Sequence, residues 1–187
     1  MKYIKWCAIA IGVIISGIPA LSNAFDIQLT PEQIHEADEY GKKYKGKEIF
    51  YSDTVKQACF GEYPKGPGGL IMSKYMRIVV TSAMHAMKEK TLTAEDIKEI
   101  QHSTTFNVVI NIDEDIQALE DVQIMLKQGT NIILPQNTEF GMKYKDRRQS
   151  VVGIFPYDKI NPNANTTILI KTRKDQKEYK IDFSDVK

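Results

Sequence analysis

The period of the apolar residues changes at Thr104, and this change constrains the fold more than any other feature of the chain. From Phe106 to Ile112 apolar residues recur at every second position, which is typical of a half-buried β-strand. Turn-forming residues divide the rest of the chain into further short strands, predicted at 121–127, 131–134, 138–144, 150–156, 165–172 and 177–183. About seven short strands at this spacing predict an antiparallel β-sandwich of immunoglobulin-like architecture over residues 104–187. The disulfide and core tryptophan of immunoglobulin domains are missing from this segment, so only the architecture is predicted.

In residues 25–103 the apolar residues recur at the spacing of helices instead. Residues 30–33, Thr-Pro-Glu-Gln, are a helix start in which the threonine caps and the glutamine completes a capping box. A second, short helix is predicted over residues 53–61, and a further helix begins after the cap Thr93. The expected fold is therefore α+β, with a helical N-terminal region beside the sandwich.

The segment from Leu70 to Lys88 has the clearest helical pattern. On a helical wheel its apolar residues occupy one arc and its polar residues the opposite arc. The polar arc contains Ser73, Lys74, Arg77, Thr81, His85 and Lys88. The competing interpretation is a strand over residues 71–82, because residues 78–81 are all β-branched. The divided wheel favours the helix, and the preceding residues 62–69, with two prolines and three glycines, are predicted to be a loop.

Residues 1–24 are predicted to be a cleavable signal peptide. Lys2 and Lys5 precede an uncharged apolar run that ends at Leu21, and Ser-Asn-Ala at 22–24 offers small residues to a signal peptidase. The run is shorter than the about 20 apolar residues that span a bilayer. Cleavage after Ala24 would place the mature protein in the periplasm or outside the cell, with no membrane span after cleavage.

The net charge limits the classes of partner that are expected. The chain has 25 lysines and arginines against 24 acids, and the signal removes two of the lysines, so the mature protein stays close to neutral. Nucleic-acid binding requires a basic footprint, and this balance argues against it. The expected partner is a protein or an anionic component of the cell envelope, and no cofactor is predicted.

Cys59 is the only cysteine left once Cys7 departs with the signal, so no intramolecular disulfide can form. Its surroundings, Gln-Ala-Cys-Phe-Gly, come close to a caspase signature. Phe60 stands where that signature requires Arg, Gln or Gly, and His35 is too near to be its upstream histidine. An inert, at least half-buried thiol is expected. An intermolecular disulfide and a reactive thiol activated by a histidine are the alternatives.

Two clusters resemble metal ligands, and their spacing argues against both. Met84, His85 and Met87 point in different directions on a helix and cannot converge on one Cu(I). The acidic run at 113–115 lacks the glycine of an EF-hand loop, and a solvated loop is expected there. No metal site is predicted.

One basic cluster is the candidate binding surface. It consists of Lys143, Tyr144, Lys145, Arg147 and Arg148. Outside the cytoplasm such a cluster suits an anionic glycan, a lipid head group or an acidic protein. The alternative is a charged strand edge that prevents edge-to-edge aggregation.

No set of catalytic residues converges in the sequence. The prediction is an exported, non-enzymatic binding or structural module. A cysteine-dependent enzyme that uses Cys59 and a periplasmic metal-binding protein are the alternatives.

Overall fold

The computed structural model describes Phe25, Ile116 and residues 27–112, 118–143 and 149–187. The predicted signal peptide and the acidic run at 113–115 lie outside the described residues. The basic cluster also lies outside them, apart from the backbone of Lys143.

Four α-helices lie in the described ranges: α1 Pro31–Lys43, α2 Asp53–Gln57, α3 Lys74–Met87 and α4 Ala94–His102. The predicted capping box of α1 is present, because the Thr30 side chain accepts from the Gln33 backbone amide and the Gln33 side chain accepts from the Thr30 backbone amide. The predicted cap Thr93 forms a second capping box with Asp96. In these ranges no helix combines the length and the apolar character that crossing a bilayer requires.

The strands form two antiparallel sheets. They are β1 Cys59–Gly61, β2 Gly68–Met72, β3 Thr105–Ile112, β4 Gln123–Gln128, β5 Asn131–Ile133, β6 Asn137–Lys143, β7 Gln149–Pro156, β8 Thr166–Lys171 and β9 Gln176–Ile181. The first sheet has the order β1-β2-β3-β7-β6, and the second has the order β5-β4-β8-β9. The predicted α+β class is confirmed, and the strands predicted beyond Thr104 are present with small shifts at their ends.

Two helix predictions need correction. The helix expected over residues 53–61 ends at Gln57, and residues 59–61 form β1. The helix expected from Leu70 begins at Lys74, because the Ser73 side chain caps it and residues 68–72 form β2. Both glycines of β2 and its next two residues are buried, and such a short buried run has no period that separates a strand from a helix.

The pairing of β2 with β3 brings the two halves of the chain together. Leu70 lies opposite Val109 and Ile71 lies opposite Val108, so strands from both sides of Thr104 share one sheet. Helix α1 packs on α3 through the glycine of α1, Gly41, where the two backbones approach closely.

A cluster of aromatic rings lies at the end of the first sheet. The Phe106 ring has its centroid 4.9 Å from that of Phe25, 5.3 Å from that of Tyr157 and 5.7 Å from that of Phe183. Phe106 and Phe183 are fully buried, and Phe25 and Tyr157 are nearly so. These rings fix the position of Tyr157, which lines the cavity described next.

Candidate binding cavity

A cavity of about 690 Å³ opens between the N-terminal segment, the end of α4 and the turn that follows β7. We call it the Lys74 cavity. Its lining consists of Ile27, Gln28, Lys74, Gln101, His102, Ser103, Thr104, Gln136, Pro156, Tyr157 and Asp158. Its size is in the usual range for small-molecule sites.

Lys74 is the most unusual residue in this lining, because it is a lysine with only 2% of its surface exposed. Its Nζ donates to the carbonyl oxygens of Ile27 and Gln101, each at 2.5 Å. It also lies 5.7 Å from the centre of the Tyr157 ring, a cation–π distance. Among the described residues, no carboxylate forms an ion pair with it.

The electrostatic surroundings of Lys74 are unfavourable for a cation. It occupies the first position of α3, at the positive end of the helix dipole. Burial lowers the pKa of the Lys74 ammonium, and the charge of Arg77 lowers it further. Two carbonyl dipoles offset part of this cost, and an anion in the cavity would offset more.

Tyr157 lines the cavity directly beside Lys74. Its hydroxyl oxygen accepts a hydrogen bond of 3.1 Å from the backbone amide of Lys74. Burial raises the pKa of the Tyr157 hydroxyl to about 12, so the group is neutral over the physiological range. It therefore adds no negative charge to compensate for the lysine.

Residues 27–29 hold one side of the cavity in place. The Gln101 side chain pairs with the backbone of Leu29, accepting from its amide at 3.3 Å and donating to its carbonyl oxygen at 2.8 Å. The N-terminal segment is thus attached both to α4 and, through the Ile27 carbonyl, to Lys74.

A second, more open depression of about 420 Å³ adjoins the first, and we call it the Arg77 cavity. It is lined by Arg77, Glu99, His102, Ser103, Thr105, Asn107 and Ile154. His102 and Ser103 line both cavities. The Arg77 guanidinium lies 3.7 Å from the Glu99 carboxylate, at the far limit of an ion pair.

Cys59 lies elsewhere, on the edge strand β1. Its Sγ donates to the Val55 carbonyl oxygen at 3.2 Å, and the residue is half-buried. Burial raises the pKa of the Cys59 thiol to about 12, which is the opposite of what a nucleophile needs. No histidine is among the described residues that line the small cavity beside it.

We predict that Cys59 in the folded protein reacts with iodoacetamide at pH 8 about a hundred-fold or more slowly than in the unfolded chain, because the thiolate is the reacting form. The raised pKa also sets the pH dependence of stability. The thiol contributes fully to the free energy of unfolding at any pH below its pKa in the unfolded chain. This contribution is lost as the pH rises from that value towards about 12, the pKa in the folded protein. Mass spectrometry with and without denaturant measures the alkylation. Equal rates in the two states would contradict the burial.

In the described ranges, no three or more His, Cys, Asp or Glu side chains are placed to hold a metal ion. Met84, His85 and Met87 do lie on a helix, whereas Met72 lies on β2. His85 Nδ1 is 3.2 Å from the Thr91 carbonyl oxygen.

Neither cavity follows from the sequence patterns. The helical wheel places Ser73 and Lys74 on a polar arc, where solvent exposure is expected, but both residues are buried. One local signal was available, because a lysine directly after a serine cap opposes the helix dipole. The acceptors of its ammonium are distant in sequence, so no local pattern could identify them.

Comparisons with protein-family models, with curated proteins and with solved structures found no match to this chain. The geometry of the two cavities therefore carries the functional inference.

Proposed function

We propose that this chain is an exported, non-enzymatic binding module whose ligand is anionic and occupies the Lys74 cavity. The single observation that carries the proposal is the buried Lys74 ammonium in the cavity wall, without a carboxylate partner among the described residues. Removing an unpaired charge from water costs on the order of several kcal/mol. A carboxylate or phosphate group of the ligand would supply the missing pair.

Binding is favoured over catalysis because the Ser103 hydroxyl and the Nδ1 atom of His102 are both engaged with backbone carbonyl oxygens. The Ser103 hydroxyl donates to the Thr105 carbonyl oxygen at 2.9 Å. His102 Nδ1 is 2.7 Å from the Lys98 carbonyl oxygen within its own helix. These contacts leave no described nucleophile–base pair of the kind that covalent catalysis uses.

The export part of the proposal places the module in the periplasm or outside the cell. Cleavage after Ala24 would leave Phe25 as the first residue of the mature chain. The Phe25 ring is 4% exposed and belongs to the aromatic cluster, so a mature chain that keeps Phe25 also keeps its core complete.

We infer further that the two sheets face each other as a sandwich, with immunoglobulin-like architecture as the finer prediction. A Cβ added to Gly153 on β7 would lie 3.3 Å from the Cδ1 of Ile124 on β4. The rings of Phe60 on β1 and Tyr179 on β9 have centroids 5.1 Å apart. These contacts join one sheet to the other and support the layered arrangement.

The test is titration calorimetry at low salt with hexanoate, adipate, inorganic phosphate and sulfate. We expect at least one of these anions to bind, and Lys74→Met to weaken its binding by about 30-fold or more, since a buried charged partner is removed. Asp158→Asn removes an exposed negative charge from the lining and should strengthen binding by about three-fold.

Lys127→Met is the matched control, because Lys127 is an exposed lysine on β4 that lines neither cavity. The Lys127→Met variant should bind each anion with the same affinity as the unmodified protein. The Asp158 variant keeps the test decisive should the Lys74 variant fold poorly. The proposal is wrong if no anion binds, or if the Asp158 variant binds no more tightly than the unmodified protein.

A further inference from the structure

We propose that the ligand is elongated and carries two anionic groups, one held by Lys74 and the other by Arg77. This inference rests on the proposed function and adds the chemical class of the ligand, a linear dicarboxylate. The two cavities adjoin each other, and each is lined by one cation of α3.

The two cavities adjoin each other. They share His102 and Ser103, where α4 ends and the chain turns towards β3. Their volumes are about 690 and 420 Å³, so together they have room for a ligand longer than a single acid group. The side chains at and beyond the junction are mostly polar and uncharged, namely Ser103, Thr104, Thr105 and Asn107.

The two cations belong to the same helix, and each lines one of the two adjoining cavities. Lys74 and Arg77 are three positions apart on α3, which places them on one face of the helix. Lys74 lines one cavity and Arg77 lines the other. They are close enough for the charge of Arg77 to lower the pKa of Lys74. Two anionic groups joined by a short chain would neutralise both cations.

The present partner of Arg77 can be displaced at small cost. Glu99 lies 3.7 Å from the guanidinium, its side chain is 79% exposed, and that of Arg77 is 25% exposed. An ion pair this long with one exposed partner contributes little to stability. A second carboxylate of the ligand would replace Glu99 on Arg77 with shorter, charge-assisted hydrogen bonds.

The experiment compares hexanoate with its diacid adipate, and includes the shorter succinate and the longer suberate. We expect one of the diacids to bind about ten-fold more tightly than hexanoate, because a second charge-assisted contact forms. Arg77→Gln should abolish this advantage, so that hexanoate and the diacids bind the variant with similar affinity. Glu99→Gln should increase the diacid affinity by about three-fold.

Arg173→Gln is the matched control. Arg173 forms a surface ion pair with Asp121 and lines neither cavity, so the same substitution there should leave every affinity unchanged. If hexanoate and all three diacids bind with equal affinity, the two-anion inference is overturned while the proposed function stands. If a diacid binds more tightly and Arg77→Gln preserves that advantage, the placement at Arg77 is overturned. If no carboxylate binds at all, this inference fails together with carboxylate recognition at Lys74.

Discussion

Phe106→Ala is expected to lower the free energy of unfolding by about 4 kcal/mol, because a fully buried phenylalanine leaves a cavity when it is truncated. Its ring contacts those of Phe25, Tyr157 and Phe183, which come from three separate parts of the chain. Relaxation around the cavity would therefore have to move several elements at once. Denaturant unfolding followed by circular dichroism measures the change.

Phe140→Ala is the matched control for this substitution. Phe140 lies on the edge strand β6, and 42% of its surface is exposed. We expect a loss of less than about 1 kcal/mol there, since little apolar surface returns to water. Similar losses at the two positions would contradict the assignment of the aromatic cluster as the centre of the core.

Gly41→Ala is expected to destabilise the protein by about 2–3 kcal/mol through overpacking between α1 and α3. A Cβ at this position would lie 2.3 Å from the Val79 carbonyl oxygen and 2.7 Å from the Ser82 Cβ. Helix propensity alone favours the opposite result, because alanine is better than glycine in a helix by about 1 kcal/mol. The sign of the change in the unfolding free energy therefore decides between local preference and tertiary packing.

Gly129→Ala separates steric overlap from backbone strain. Gly129 has a φ of +59°, and nothing lies within 4 Å of a Cβ added there. Its substitution should cost about 1 kcal/mol, from the left-handed conformation alone. Should Gly41→Ala prove neutral or stabilising in the same unfolding assay, the close approach of the two helices would be wrong.

Local sequence patterns determined much of the secondary structure. The alternation that starts at Phe106 identified β3, and the turn-forming residues after it separated the later strands. The caps Thr30 and Thr93 located the starts of α1 and α4, because a capping box is satisfied by residues three positions apart. Each of these features depends on neighbours in the sequence, so the sequence by itself determines it.

Only the tertiary structure decided the features that depend on residues distant in the chain. Strand β2 is extended because its two glycines and the buried residues after them pair with β3, some 40 positions away. Gly41 is required because another helix approaches it. The Lys74 ammonium is buried because its acceptors, the carbonyl oxygens of Ile27 and Gln101, lie 47 and 27 positions away. Burial and pairing are set by such long-range contacts, so the candidate site became visible only in the fold.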